Sequence, residues 1–84
     1  MNEKMETLIG VLEISIARYN RELEHVQTIE ELWYYKGMAF GDISAYGLVT
    51  GDVLKEQTLR HTFIENWLRT QERVLNRLNN PSTN

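Results

Sequence analysis

Cysteine is absent from the 84-residue sequence, which excludes disulfide bonds and thiolate metal sites. Proline occurs once, at Pro81, so proline interrupts no helix over most of the chain. No apolar run approaches the roughly 20 residues that a membrane-spanning helix needs. The opening residues, MNEKMETL, lack the basic and apolar regions of a secretory signal. We therefore expect a single cytoplasmic domain with no membrane segment.

Basic residues are also few. Nine lysines and arginines stand against twelve aspartates and glutamates, for a net charge of −3. Neutralisation of phosphates supplies most non-specific affinity for nucleic acids, so this balance disfavours a nucleic-acid partner. The helices predicted below over residues 29–47 and 51–78, with the turn between them, have the order of a DNA-binding helix–turn–helix. However, Asp52 and Glu56 occupy positions where a recognition helix would contact bases, which makes DNA binding a weaker alternative.

The spacing of apolar residues predicts a first helix over residues 3–26. The steps between these residues alternate four and three, as in a heptad pattern. Asn2 is suited to cap the start of this helix, and acidic residues follow near the positive end of the helix dipole. The apolar positions are Met5, Ile9, Leu12, Ile16, Tyr19, Leu23 and Val26.

A second helix is predicted over residues 29–47. Thr28 and Glu31 have the spacing of a capping box, and Gly47 is suited to end the helix. The short linker predicts that the first two helices are antiparallel neighbours. Apolar residues cover most of the circumference, which predicts a central helix that is apolar on two sides.

A stripe of small residues marks one side of this second helix. Gly37, Gly41 and Ala45 are spaced four apart. Each interior glycine costs about 0.5–1 kcal/mol relative to alanine, so we expect another helix to approach closely along the stripe. That contact lies either within the protomer or at a subunit interface, and we favour the interface.

A third helix is predicted over residues 51–78, with Thr50 as its N-cap. The apolar side of this helix, which we call its seam, also carries polar residues, including Arg60 and Gln71. Residues 79–84 are expected to form a disordered tail. The chain is therefore predicted to be all-α, either a three-helix bundle or a helical hairpin plus a helix. Such a thin bundle would leave one side of the second helix uncovered, so we expect a homodimer.

No catalytic, cofactor or metal site is expected. Glu22 and His25 form one Glu-x-x-His step, whereas a di-iron bundle needs that step twice and further inward carboxylates. His61 and Glu65 are again only half a site. No cysteine is present and no serine lies in a nucleophile elbow, so the elements of nucleophilic catalysis are missing. We therefore expect a protein that is not an enzyme.

Polar and aromatic residues on apolar surfaces are the candidate partner contacts. Lys36 projects from the apolar face of the second helix, and Arg60 and Gln71 lie in the seam of the third. Buried polar groups must be paired, so these residues either pair locally or meet groups on a partner. Tyr34 and Tyr35 are adjacent, so at least one should be exposed or at an interface. The predicted interface residues are Tyr34, Tyr35, Lys36, Gly37, Gly41, Ala45, Arg60 and Gln71.

The segment YYKGMAFGDISAYGLVTGDVLKEQ resembles a helical hairpin style found in small accessory proteins of bacteriophages and mobile elements. In that style, a Lys-Gly helix runs into a Gly-Leu-Ile/Val-Thr turn before an acidic helix start. The resemblance implies a binding protein that regulates or inhibits a host protein, for example one of an immune system. Our leading hypothesis is thus a small protein–protein interaction module. The alternatives are a structural subunit of a larger assembly and a DNA-binding regulator.

Overall fold

The computed structural model describes residues 2–79, which form three long α-helices. Helix α1 spans Glu3–Glu22 and is followed by a 3-10 turn at Leu23–His25. Helix α2 spans Ile29–Thr50, and helix α3 spans Val53–Asn79. The described part of the chain contains no β-strand, which confirms the predicted all-α fold.

The starts of α1 and α2 follow from their capping residues. Asn2 Oδ1 accepts a hydrogen bond from the backbone N–H of Met5 at 2.9 Å. At α2, Thr28 Oγ1 accepts from the N–H of Glu31 at 3.1 Å, while the Glu31 carboxylate accepts from the N–H of Thr28 at 3.2 Å. These bonds satisfy backbone donors that have no partner within a helix. Both predicted caps are confirmed.

The predicted end of α2 at Gly47 is wrong, because the helix continues to Thr50. Gly51 ends it instead: its φ of 69° is left-handed, and its N–H donates to Gly47 O at 2.9 Å. Glycine adopts this conformation at little cost, because it has no Cβ. Gly47 is buried within the helix, at a contact with α3 where an added Cβ would overlap the Glu56 carboxylate.

The cap of α3 also differs from the prediction. The helix begins at Val53, and its first turn is capped by Asp52, whose Oδ1 accepts from the N–H of Lys55 at 2.9 Å. The hydroxyl of Thr50 donates to Tyr46 O at 2.7 Å and accepts from the N–H of Asp52 at 3.1 Å, so it joins the end of α2 to the loop and does not cap the first turn of α3. The loop between the two helices is therefore shorter and lies later in the chain than the sequence suggested.

The two remaining predicted boundaries also shift. The first α-helix stops at Glu22, the turn Leu23–His25 tightens to 3-10 geometry, and Val26 is extended and fully buried. A 3-10 turn of this kind commonly ends an α-helix that leads into a short connection. At the other end of the chain, Asn79 belongs to α3. The rest of the predicted tail, 80–84, lies outside the described residues.

Helix α2 lies between its neighbours, since α1 and α3 each pack mainly against it. Trp33 contacts Trp67 near the start of α2, with ring centroids 5.2 Å apart. Gly47 meets Glu56 near the end of α2. Because the order of contacts reverses along the chain, α2 and α3 are antiparallel.

The core follows the length of α2, and the molecule is elongated, at 56 × 20 × 15 Å. Asn66 Nδ2 of α3 donates to Asn20 Oδ1 of α1 at 2.8 Å, which joins the two outer helices directly. None of the described helices combines the length and apolar character needed to cross a membrane. The buried apolar residues are Leu12, Ile16, Tyr19, Leu23, Val26, Leu32, Ala39, Ile43, Tyr46, Phe63, Trp67 and Val74.

Candidate interaction surface

The residues predicted to form an interface lie on different sides of α2. Tyr35 is on the α1 side, with its ring centroid 6.1 Å from that of Tyr19. Lys36 and Arg60 are at the contact between α2 and α3. These residues therefore do not form one continuous surface. The predicted residues that remain exposed are Tyr34, Gly37 and Gly41.

One exposed side of α2 carries Tyr34, Gly37, Gly41 and Leu48, which we call the outer face. At 3.6 residues per turn, these positions fall within a narrow sector of the helix. Tyr34 is 59% exposed and Leu48 is 87% exposed. No atom of α1 or α3 lies within 4 Å of a Cβ built on either glycine. Gly37 and Gly41 therefore do not serve helix packing within the protomer, whereas Ala45 is half-buried and packs against the core.

The ammonium group of Lys36 lies over two indole rings of its own chain. Its Nζ is 4.8 Å from the ring centroid of Trp33 and 4.6 Å from that of Trp67. Cation–π contacts of this kind are worth about 0.5–2 kcal/mol, depending on how far they are desolvated. Of the two interpretations left open for Lys36, the structure shows the local pairing.

Arg60 also makes contacts within the protomer. Its Nη2 donates to Ser44 Oγ at 3.0 Å, and its Nη1 donates to Glu56 Oε2 at 3.0 Å. The guanidinium carbon lies 5.5 Å from the ring centroid of Phe40. Because the ion pair with Glu56 is partly exposed, it contributes about 1 kcal/mol or less. Gln71, the other polar seam residue, is half-buried on α3.

A second exposed apolar surface, which we call the flank, lies along the α2–α3 pair. Sequence reasoning placed its residues in or beside the apolar seams, whereas each is between 39% and 55% exposed. The sequence signal that could have predicted this exposure is the width of the apolar side of each helix. One neighbouring helix covers only a limited stripe, so a wide apolar side leaves some residues exposed. The flank consists of Ile29, Trp33, Leu68, Leu75 and Leu78.

Tyrosine side chains line an open cleft between α1 and α2. Tyr34 and Tyr35 meet edge to face with ring centroids 5.2 Å apart, and Arg18 and Glu22 of α1 line the opposite wall. Burial raises the pKa of Tyr35, and the nearby carboxylates of Glu22 and Glu31 raise it further. Tyr34 is the exposed member of the pair, which places it where a partner could reach it.

Titratable side chains do not gather into a metal site within residues 2–79: no three His, Cys, Asp or Glu residues are grouped to hold an ion there. His61 Nε2 and Glu65 Oε1 lie 2.6 Å apart, but both side chains are more than half exposed. They form a solvated pair one helical turn apart, of a kind that contributes little to stability.

Ile14 and Leu54 are exposed elsewhere on the described chain, and the outer face and the flank are the two apolar surfaces exposed along α2. Both present large apolar side chains to solvent, as protein-binding surfaces do. Comparisons with protein-family models, with curated proteins and with solved structures found no match for this chain.

Proposed function

We propose that this protein is a homodimeric helical interaction module that regulates or inhibits a partner protein. The observation that carries the proposal is the outer face of α2, where two glycines and two large apolar side chains are exposed together. Glycine in a helix interior lowers stability, and no contact within the protomer offsets that cost for Gly37 or Gly41. A close approach of a second copy supplies the missing contact.

The outer face is symmetric in sequence about its centre. Tyr34 and Leu48 each lie seven residues from Gly41. A two-fold dimer places the same patch of both copies in contact. If two antiparallel α2 helices cross at Gly41, Tyr34 of each copy lies opposite Leu48 of the other. The glycines then permit close approach at the centre, and the large side chains cover each other at both ends.

The available area is somewhat smaller than one side of a standard protein interface. Helix α2 has 22 residues and is therefore about 33 Å long. The outer face and the neighbouring flank together span two helices, or about 20 Å in width. The product of this length and width is roughly 650 Å², taken as a flat rectangle. It approaches the ~800 Å² per partner of a standard interface.

The regulatory role rests on the kind of surface and on the resemblance of residues 34–57 to phage accessory proteins. Exposed tyrosine and tryptophan side chains such as Tyr34 and Trp33 are enriched in protein-binding surfaces and depleted elsewhere. A structural subunit is the competing role, and it differs in the size of the assembly that it forms.

Light scattering on two matched glycine variants tests the dimer. Gly41 and Gly10 both lie inside helices, and in both cases a Cβ meets open space within the protomer. We expect the wild-type chain and Gly10→Leu to have twice the chain mass of 9.9 kDa. We expect Gly41→Leu to have the mass of one chain and to keep its helical circular dichroism.

Other outcomes decide against the proposal. A monomeric wild type at the highest attainable concentration removes the dimer. Dissociation by both variants means that the effect does not come from the outer face. An assembly much larger than two chains supports the structural-subunit role.

A further inference from the structure

A cleft of about 440 Å³ lies between α1 and α3. Polar side chains line much of it: Asn20 comes from α1, while Asn66, Arg69 and Arg73 come from α3. Glu24, in the 3-10 turn, is the one carboxylate among the described residues that line it. The cleft therefore has a positive balance, in a chain whose net charge is −3.

Arg73 is held in place by the 3-10 turn that follows α1. Its Nη2 donates to Leu23 O at 3.1 Å and to Glu24 O at 3.4 Å. These carbonyls lie at the C-terminal end of the first helical segment, where the helix dipole attracts a cation. A guanidinium has five N–H donors, and these two bonds use only one of its nitrogens. Arg73 also lines the cleft, and these two bonds leave its other donors unused.

Arg69 is held by a chain of hydrogen bonds that crosses to α1. Its Nη2 donates to Asn66 Oδ1, and Asn66 Nδ2 donates to Asn20 Oδ1 at 2.8 Å. Asn20 Nδ2 in turn donates to Ile16 O at 3.1 Å. Because the two asparagines are fixed in this way, Arg69 is positioned before any ligand arrives, which lowers the entropy that binding would cost.

Among the described residues, neither Arg69 nor Arg73 forms an ion pair with a carboxylate. Within residues 2–79, the ion pairs of α3 are Arg60 with Glu56 and His61 with Glu65, and both lie earlier in the helix. Arg69 and Arg73 are one helical turn apart, so their guanidinium groups can act together on one ligand. Arginine is suited to this task because its planar fork matches the two oxygens of a carboxylate.

We propose that this cleft binds a carboxylate side chain in an acidic segment of a partner protein. The inference deepens the proposed function, because it names the chemistry of the partner, and it rests on the protein-binding role but not on the dimer. A carboxylate is favoured over nucleic acid because the cleft offers two arginines, which suffice for one carboxylate. Binding of a densely charged polyphosphate needs many more basic contacts, and the chain as a whole is acidic.

The cleft is also free in the proposed dimer. It is lined by residues of α1, the 3-10 turn and α3, and none of them belongs to the outer face or the flank, which form the proposed dimer contact. Each copy could therefore bind one acidic segment while its outer face holds the other copy. Peptide binding and dimer formation can then be measured separately.

Fluorescence anisotropy with labelled peptides tests the cleft. The probes are an amidated oligoglutamate peptide, a neutral Gly-Ser peptide with a free C-terminal carboxylate, and a short DNA duplex. Arg69→Gln is the test variant, because glutamine can still donate to Asn66 Oδ1 and Arg73 keeps its bonds to the 3-10 turn. Arg18→Gln is the matched control, because it removes the same charge from the other side of α1, beside Tyr34.

We expect saturable binding of oligoglutamate by the wild type, weakened about ten-fold or more by Arg69→Gln and nearly unchanged by Arg18→Gln. The monomeric Gly41→Leu variant should bind like the wild type, so failure of the dimer and failure of the cleft give different results. Absence of saturable oligoglutamate binding overturns the proposal. So does an equal loss in both arginine variants, tighter binding of the duplex, or binding that requires the free C-terminus.

Discussion

The indole nitrogen of Trp67 donates a 2.8 Å hydrogen bond to the backbone carbonyl oxygen of Leu32. Both residues are buried, and the bond joins α3 to the first turns of α2. Trp33 and Lys36 cover the other sides of the same indole ring. A directional bond inside an otherwise apolar contact fixes how far one helix is shifted along the other.

Replacement of this indole by a smaller ring should therefore lower stability measurably. We expect Trp67→Phe to reduce the free energy of unfolding by about 1–2 kcal/mol, through the lost hydrogen bond and lost packing. Trp33→Phe is the control, because Trp33 is 55% exposed, and it should change the free energy by about 0.5 kcal/mol or less. Urea denaturation measures both values, and equal losses would contradict the role given to the buried bond.

Gly47→Ala tests the close contact between α2 and α3. Alanine raises helix propensity by about 1 kcal/mol. The new methyl group must displace the Glu56 carboxylate, which weakens a partly exposed ion pair with Arg60 worth up to about 1 kcal/mol. We expect these effects to offset each other, so that the free energy of unfolding changes by less than about 0.5 kcal/mol.

A double-mutant cycle with Glu56→Ala separates the two terms. In that background no carboxylate meets the new methyl group, so Gly47→Ala should stabilise the protein by about 0.5–1 kcal/mol. If Gly47→Ala has the same effect in both backgrounds, Glu56 is not the group that occupies this space. Chemical denaturation of the four proteins gives the coupling free energy directly.

The capping box of α2 predicts a change of stability with pH. Hydrogen bonds from the N–H of Gln27, and from the side chain and N–H of Thr28, lower the pKa of Glu31 from its ordinary value of 4.5. A carboxyl whose folded pKa is depressed stabilises the fold above its unfolded pKa. That contribution is lost as the pH falls through the folded value. We expect Glu31→Gln to be less stable than the wild type at neutral pH and the difference to shrink in acid.

Thermal unfolding at pH 7 and at about pH 3 measures this convergence. Glu30→Gln is the control, because Glu30 is an exposed acidic residue in the same turn but lies outside the capping box. The difference in stability between Glu30→Gln and the wild type should change less with pH than the difference between Glu31→Gln and the wild type. A Glu31→Gln deficit that is as large in acid as at neutral pH would mean that the charge of this carboxylate has no part in the cap.

The helix starts could be predicted from sequence because their determinants are local. Asn2 acts on a residue three positions away, and Thr28 and Glu31 act on each other over the same spacing. The end of α2 could not be decided in this way, because both Gly47 and Gly51 are acceptable terminators by local rules. The choice depends on the contact between Gly47 and α3, which only tertiary packing creates.

The contacts of the polar residues on the apolar sides of the helices could not be predicted for a similar reason. Lys36 could pair locally or meet a partner, and its indole contact Trp67 lies 31 positions later in the chain. Arg73, which closes one side of the α1–α3 cleft, bonds to a carbonyl 50 positions away. Sequence periodicity assigns such residues to a helix side but does not say which group on another helix they reach.

The outer face of α2 gives the last prediction, which concerns stability at different protein concentrations. In the monomer, Gly41→Leu should raise the free energy of unfolding by about 0.5–1 kcal/mol, because leucine is the better helix former and its Cβ meets open space. In the proposed dimer, the same side chain would separate two close helices, so we expect the stabilisation by association to be lost.

Melting temperatures measured over a dilution series should therefore cross. The wild-type melting temperature should rise with concentration, because association stabilises the folded chain by mass action. That of Gly41→Leu should be higher than the wild type at high dilution and independent of concentration. Gly10→Leu has the same gain in helix propensity in α1 and should lie above the wild type throughout. Parallel curves for the wild type and Gly41→Leu would show that Gly41 faces solvent and not a second copy.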